Sequence, residues 1–219
     1  MIKEIKQVLE DNNFSVEEII DNVLVVSDFI SKEELLTLTN IINSTPEEDW
    51  LIEYTTNLKR FCIEKFGRDD VDNLVAEGKF EITQGWQDKN LSLIKHSISD
   101  KISSRLEKIL LTANPDIQFA STKTLQRMQE GVELKAHTDQ HTDPAIKVAT
   151  ILYLNDDYSD GELFFVNKDL ELKPNPGTLV VFPGTAEFEH GVRKVGPGPI
   201  RYVIVGFVKS KNFYKDNKY

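Results

Sequence analysis

The chain has 219 residues, enough for one domain with a substantial core and no need of covalent staples. Its formal net charge of −10 argues against broad binding to nucleic acid or to an anionic membrane surface. The lone cysteine, Cys62, excludes an intramolecular disulfide and with it a disulfide-stapled secreted module; among Phe61, Ile63 and Phe66 it reads as a packed core thiol.

The first residues, Met1-Ile2-Lys3-Glu4-Ile5-Lys6, carry acid and lack the apolar run of a signal peptide. No window approaches the roughly 18 to 20 apolar residues that span a bilayer. A reducing cytoplasm is therefore the expected compartment. Ile2, Ile5, Val8 and Leu9 predict a short amphipathic helix, and Val23-Leu24-Val25-Val26 a strand. Ser31 and Glu34 form a capping-box pattern ahead of Leu35, Leu38, Ile41 and Ile42, and Pro46 stops that helix. Leu51, Tyr54, Leu58 and Phe61 carry a helical period on to Gly67. Trp86 lies in a turn-like segment, as a packed indole or as cover for a site. Leu91, Ile94, Ile98, Ile102, Leu106 and Ile109 predict a longer helix with one buried stripe, and place His96 on its polar side.

The pattern changes near Asn114-Pro115. Short β-rich runs follow at 122–128, 148–154, 162–166, 178–182 and 202–208, separated by Asp160-Gly161, Asn175-Pro176-Gly177 and Gly196-Pro197-Gly198-Pro199. The expectation is an α+β fold in a single domain. Residues 1–115 form a mostly helical support, 116–208 a jelly-roll core with the helices packed on one outer face, and 209–219 a polar, basic tail.

Two triplets stand almost back to back, His137-Thr138-Asp139 and His141-Thr142-Asp143. Side chains two apart on a strand share a face, so either triplet offers a histidine and a carboxylate as metal ligands on spacing alone. His190, just beyond the apolar run Val180-Val181-Phe182-Pro183-Gly184, supplies a third ligand from a distant strand. Three ligands on one side with the other side open suit a non-haem Fe(II) site; zinc is the competing metal, favoured by affinity alone. Arg201 opens the run Arg201-Tyr202-Val203-Ile204-Val205 and points a fixed charge into an apolar wall, which calls for an internal acid or a ligand carboxylate.

In order along the chain, Arg127-Met128-Gln129-Glu130-Gly131, Lys135-Ala136-His137-Thr138-Asp139, Ala149-Thr150-Ile151-Leu152-Tyr153-Leu154-Asn155, Gly161-Glu162-Leu163, Pro176-Gly177, Phe182-Pro183, His190 and Arg201 resemble the Fe(II)/2-oxoglutarate-dependent dioxygenases, in the prolyl 4-hydroxylase-like branch. The resemblance covers about residues 120–208 and, more loosely, 23–38. It implies a double-stranded β-helix in which His137, Asp139 and His190 ligate iron. It also implies that Arg201 pairs with the distal carboxylate of 2-oxoglutarate, with Tyr153 as a hydrogen-bond donor to it. The separations from Gly131 and to the Tyr-Leu-Asn strand end favour the first triplet, leaving His141 and Asp143 in a loop. The gap from His190 to Arg201 is longer than in the family, which keeps Arg193 as an alternative anchor.

The implied reaction is hydroxylation of a prolyl residue in a protein or peptide, with O2 as cosubstrate, ascorbate as a further candidate cofactor, and release of succinate and CO2. Hydroxylation of a free amino acid or other small molecule is the alternative within the class, and a non-catalytic jelly-roll binding protein the alternative outside it. Nucleic-acid dealkylation is disfavoured, because no further arginine follows Arg201 on its strand. Ile151, Leu152, Phe164 and Phe165 read either as the apolar wall of such a site or as ordinary core.

Overall fold

The computed structural model describes residues 1–53, 88–120 and 123–213. Helix α1 (Ile2–Asp11) buries Ile2, Ile5 and Leu9, as its period predicts. Strands β1 (Ser15–Ile20) and β2 (Val23–Ser27) form a hairpin that turns at Asn22, whose φ of 66° an asparagine tolerates. Helix α2 (Lys32–Ser44) starts with the expected reciprocal cap. Ser31 Oγ accepts from the Glu34 amide at 3.2 Å, and Glu34 Oε2 accepts from the Ser31 amide at 2.9 Å.

Two expected helical stretches are corrected. Leu51–Glu53 is strand β3, paired with β4 (Asp88–Ser92); Tyr54, Leu58, Phe61, Cys62, Gly67 and Trp86 lie outside the described residues. The stripe beginning at Leu91 is not one helix. Leu91 lies on β4 opposite Leu125, and Ile94 sits in a turn at 66% exposure. The Leu93 amide donates to the Lys123 carbonyl and Ser99 Oγ to the Leu93 carbonyl, which folds the chain over before helix α3 (Ser97–Ala113) begins. His96 is the half-buried residue at its N-cap. Only from Ile98 onward does the 3.6-residue period describe a real face, through Ile102, Leu106 and Ile109.

The β-rich half follows as β5 (Ile117–Ala120), β6 (Thr124–Met128), β7 (Leu134–His137), the short helix α4 (Asp139–Thr142), β8 (Ile146–Tyr153), β9 (Leu163–Phe165), β10 (Leu170–Leu172), β11 (Leu179–Pro183), β12 (His190–Val192) and β13 (Arg201–Ser210). The major sheet runs β1-β2-β11-β8-β13-β6-β4-β3, with β5 paired to the far half of β13. The minor sheet runs β10-β9-β12-β7, and every pairing is antiparallel. Two facing sheets of this kind make the expected jelly roll. The first 115 residues are less purely helical than expected, since β1 to β4 all come from them and extend the major sheet. β1 and β4 (Ser-Val-Glu-Glu-Ile-Ile and Asp-Lys-Asn-Leu-Ser) are too polar to announce themselves as strands.

Strand β8 shows why the core runs so apolar. Val148, Leu152 and Leu154 face the layer of α1, α2 and α3, while Ala149, Ile151 and Tyr153 face the minor sheet. A strand buried on both faces reads as a continuous hydrophobic run. No helix among the described residues is long and apolar enough to cross a membrane.

Candidate metal centre and anion pocket

His137 is the last residue of β7, and His190 the first of β12; the two strands pair them directly, so their ring centroids lie 4.5 Å apart. Asp139 does not share a strand face with His137, contrary to the expectation from spacing. It opens α4 two residues past the end of the strand, and the turn at Thr138 brings its carboxylate beside the imidazole, with Oδ1 3.7 Å from His137 Nε2. His190 rides on its own strand β12, separated from the Val180–Phe182 run by a short 3-10 turn (Ala186–Phe188). One ligand atom from each of His137, Asp139 and His190 falls within 4.8 Å of the others.

Both imidazoles are oriented by backbone carbonyls. His137 Nδ1 lies 3.1 Å from the Lys135 carbonyl, and His190 Nδ1 lies 2.9 Å from that of Phe188. A carbonyl only accepts, so Nδ1 carries the proton and Nε2 presents its lone pair. Burial, reinforced by the neighbouring His137, pushes His190 down to about 3, against the Phe188 carbonyl. Burial likewise lowers His137. The rings of Phe182 and Phe165, with centroids 4.6 Å and 6.0 Å from that of His190, supply the apolar wall.

Asp139 is 5% exposed, its Oδ2 has no hydrogen-bond partner, and burial raises the carboxyl to about 7. A carboxylate held this way lacks a compensating positive charge. Two neutral imidazoles and one uncompensated carboxylate are the donor set of a divalent cation, so the residues fit one. Gly184 closes behind them: a Cβ there would stand 2.9 Å from Ile146 Cγ2 and 3.2 Å from Asp139 Cβ, and its carbonyl accepts from the Gln140 amide at 3.1 Å. The second triplet is elsewhere. His141 is exposed on α4, and Asp143 pairs with Lys209 at 2.7 Å.

Arg201 lies in the same compartment between the sheets, on the face of β13 that carries Val203. It is 1% exposed and has no acidic partner among the described residues. Its Nη2 donates to Tyr153 Oη at 3.3 Å, Nη1 meets only Met128 Sδ at 3.5 Å, and Nε is unpartnered. Arg193, the alternative anchor, is ruled out by position. It is exposed, stacks 4.1 Å over Phe164 on the outer face of the minor sheet, and is ion-paired with Glu171. Of the candidate wall residues, Ile151 and Phe165 face the compartment, whereas Leu152 belongs to the helix side. Sequence reasoning missed Tyr158, which is 2% exposed with its ring centroid 5.9 Å from the Arg201 guanidinium. An aromatic in a loop of Asn, Asp and Ser carries no period that marks it.

A jelly roll with a His-Asp-His cluster and a buried arginine that meets no acid among the described residues fits the class of metal-dependent oxygenases that use a 2-oxo acid. Residues 123–209 match the 2OG-Fe(II) oxygenase superfamily, and the matched region with its His-Asp-His triad is that of an oxidoreductase of the dioxygenase type that uses Fe(II) and 2-oxoglutarate. No curated protein matches by sequence. Among solved structures, the chain is similar to a prolyl hydroxylase from Trichoplax adhaerens in complex with a peptide fragment of the hypoxia inducible factor oxygen degradation domain, at 14% identity and a TM-score of 0.64, covering 99% of this chain and 95% of that one. A Pseudomonas putida prolyl-4-hydroxylase matches at 16% identity and a TM-score of 0.60, over 96% and 99%. A viral collagen prolyl hydroxylase from Paramecium Bursaria Chlorella virus-1, in its 2OG complex, matches at 15% and 0.58, over 88% and 99%.

Proposed function

We propose that the protein hydroxylates a prolyl residue of a protein or peptide, consuming O2 and 2-oxoglutarate and releasing succinate and CO2. In this reading His137 Nε2, His190 Nε2 and the Asp139 carboxylate hold Fe(II), while Arg201 and Tyr153 take the distal carboxylate of 2-oxoglutarate. The single observation that carries it is the pairing, in one compartment between the sheets, of an uncompensated carboxylate between two neutral histidines with an uncompensated guanidinium. Each lacks what an iron ion and a dicarboxylate bring.

When bound together, iron and the 2-oxo acid supply an oxidant that places one oxygen atom of O2 on the substrate carbon and the other in succinate. The chain's own residues do the rest. The carbonyls of Lys135 and Phe188 fix the histidine tautomers. Phe165 and Phe182 keep water from the reacting centre. Arg201 fixes the cosubstrate's far end by a charge-assisted contact. Likeness to three prolyl hydroxylase structures, one holding a peptide, supports the substrate class.

The test is succinate formation from 2-oxoglutarate with Fe(II), joined to a mass-spectrometric search for one added oxygen among prolyl peptides, free amino acids and other small molecules. An oxygen on a prolyl ring is the expected result. Transfer to a free amino acid instead overturns the substrate and leaves the class. Absence of succinate, together with no stabilisation by Mn(II) and 2-oxoglutarate, leaves a jelly-roll binding protein.

A further inference from the structure

Arg201 meets only two weak acceptors among the described residues, Tyr153 Oη at 3.3 Å and Met128 Sδ at 3.5 Å, and no carboxylate. Its Nε–H has no partner, and Tyr153 Oη, already accepting from Nη2, keeps its own proton to give. Tyr158 Oη is also buried without a partner. It lies close enough for the guanidinium's charge and N–H groups to pull the phenol down, yet no hydrogen bond of ordinary geometry forms between them. The two phenols flank the cation, with ring centroids 5.2 Å and 5.9 Å from its central carbon. Burial raises Tyr153 above its ordinary value and pushes Tyr158 up to about 12, with Arg201 pulling back, so both stay protonated donors at neutral pH.

Tyr158 is held in this position before any ligand arrives. Its ring packs against Gly161, where a Cβ would come within 3.3 Å of Cδ2 and Cε2, and Gly161 itself takes a φ of +71°. Lys173 Nζ lies 4.6 Å over the same ring and donates to the Tyr158 carbonyl. A group clamped this firmly, with its hydroxyl left unsatisfied, is costly unless something completes it. Most buried hydroxyls find partners.

We infer that Tyr158 is a third contact to the cosubstrate, its hydroxyl donating to the distal carboxylate that Arg201 and Tyr153 hold; the inference rests on the 2-oxoglutarate reading of the site. One carboxylate offers about four lone-pair sites, enough for the Nε–H, Nη–H and two phenol donors together.

The test uses Tyr158→Phe, which keeps the ring between Gly161 and Lys173 and removes only the hydroxyl. Calorimetric titration of Mn(II)-loaded protein with 2-oxoglutarate gives its affinity, and thermal unfolding of the metal-free protein gives its stability. A hydroxyl with no partner in the free protein contributes nothing to hold it together. The variant is therefore expected to bind 2-oxoglutarate about tenfold more weakly, as one lost hydrogen bond to a charged group implies, while its Tm stays level or rises. Unchanged affinity overturns the inference. So does a fall in Tm alongside weaker binding, which marks a structural hydroxyl. If wild-type protein itself binds no 2-oxoglutarate, the functional reading fails and takes this inference with it. If wild type binds and only Arg201→Ala loses affinity, Tyr158 alone is wrong.

Discussion

The central strands β8, β11 and β13 are buried on both faces, but the face under the helices and the face toward the minor sheet treat polar groups in opposite ways. Under the helices, Glu34 is 4% exposed and fully paired: Arg105 reaches it at 2.5 and 3.1 Å, Lys101 at 3.1 Å, and the Ser31 amide at 2.9 Å. Arg105 also donates to the Phe29 carbonyl at 2.7 Å. Toward the minor sheet lie all three buried side-chain atoms that lack a partner among the described residues: Asp139 Oδ2, Tyr158 Oη and Arg201 Nε. One face is complete as folded, so its interactions stabilise the fold. The other is incomplete by about 1 to 3 kcal/mol per orphaned group, a cost recovered only when a ligand binds.

That contrast is broken most directly by exchanging stability for function at a single atom. Asp139→Asn should lower turnover by about a thousandfold or more, beyond the 10- to 100-fold typical of outer partners of a metal ligand. The same change removes an uncompensated buried carboxylate, so the unfolding midpoint of the metal-free protein should hold or rise. A marked fall would place Asp139 among the residues that stabilise the fold. Leu106→Ala, on the helix side, should do the reverse: about 2 to 5 kcal/mol of stability lost in urea unfolding, with turnover per folded molecule unchanged.

Glu34 sharpens the comparison through pH. Burial alone pushes its carboxyl up, but Arg105, the Ser31 amide and Lys101 outweigh it and bring the group from 4.5 down to about 2. A depressed folded value means the stabilisation is present above the unfolded value and is lost as pH falls through the folded one. Lys101 stands on the open, screened side of the cluster, which keeps the amount on the order of 2 kcal/mol. Unfolding free energies measured from pH 6 to pH 2 should show this loss between about pH 4.5 and 2, and Glu34→Gln should flatten it. Parallel curves would mean the cluster adds nothing.

The capped face was far more legible in the sequence than the open one. The Ser31–Glu34 box, the stripe from Ile98 to Ile109 and the apolar runs of β8 and β11 follow from periodicity and local hydrogen bonding, which act within a few residues. The same periodicity misled at Leu91 and Ile94, because a strand and a turn happened to fall in step with the helix that follows. The metal-site residues were legible as types and order, but not as geometry. Asp139 reaches His137 through a helical turn after the strand, not along it. Tyr158 was invisible because packing against Gly161 and under Lys173, which no hydrophobic period marks, is what places its ring.

The smallest expected effect decides between the two triplets. His141→Ala should change stability by no more than about 0.5 kcal/mol and leave most of the turnover, as surface substitutions away from special features do. The reason is positional: Asp139 begins α4 at the mouth of the cluster, and two residues further round the helical turn His141 is exposed. Its partner in the triplet, Asp143, is engaged by Lys209 and by the Ala145 amide at 2.9 Å, which ties that carboxylate to the start of β8. A ligand pair drawn from the second triplet would have to break both contacts and turn the helix over. Steady-state turnover of His141→Ala and His137→Ala therefore carries the assignment. Activity lost in the first and kept in the second would show that the chain binds its metal through the triplet that the fold leaves outside.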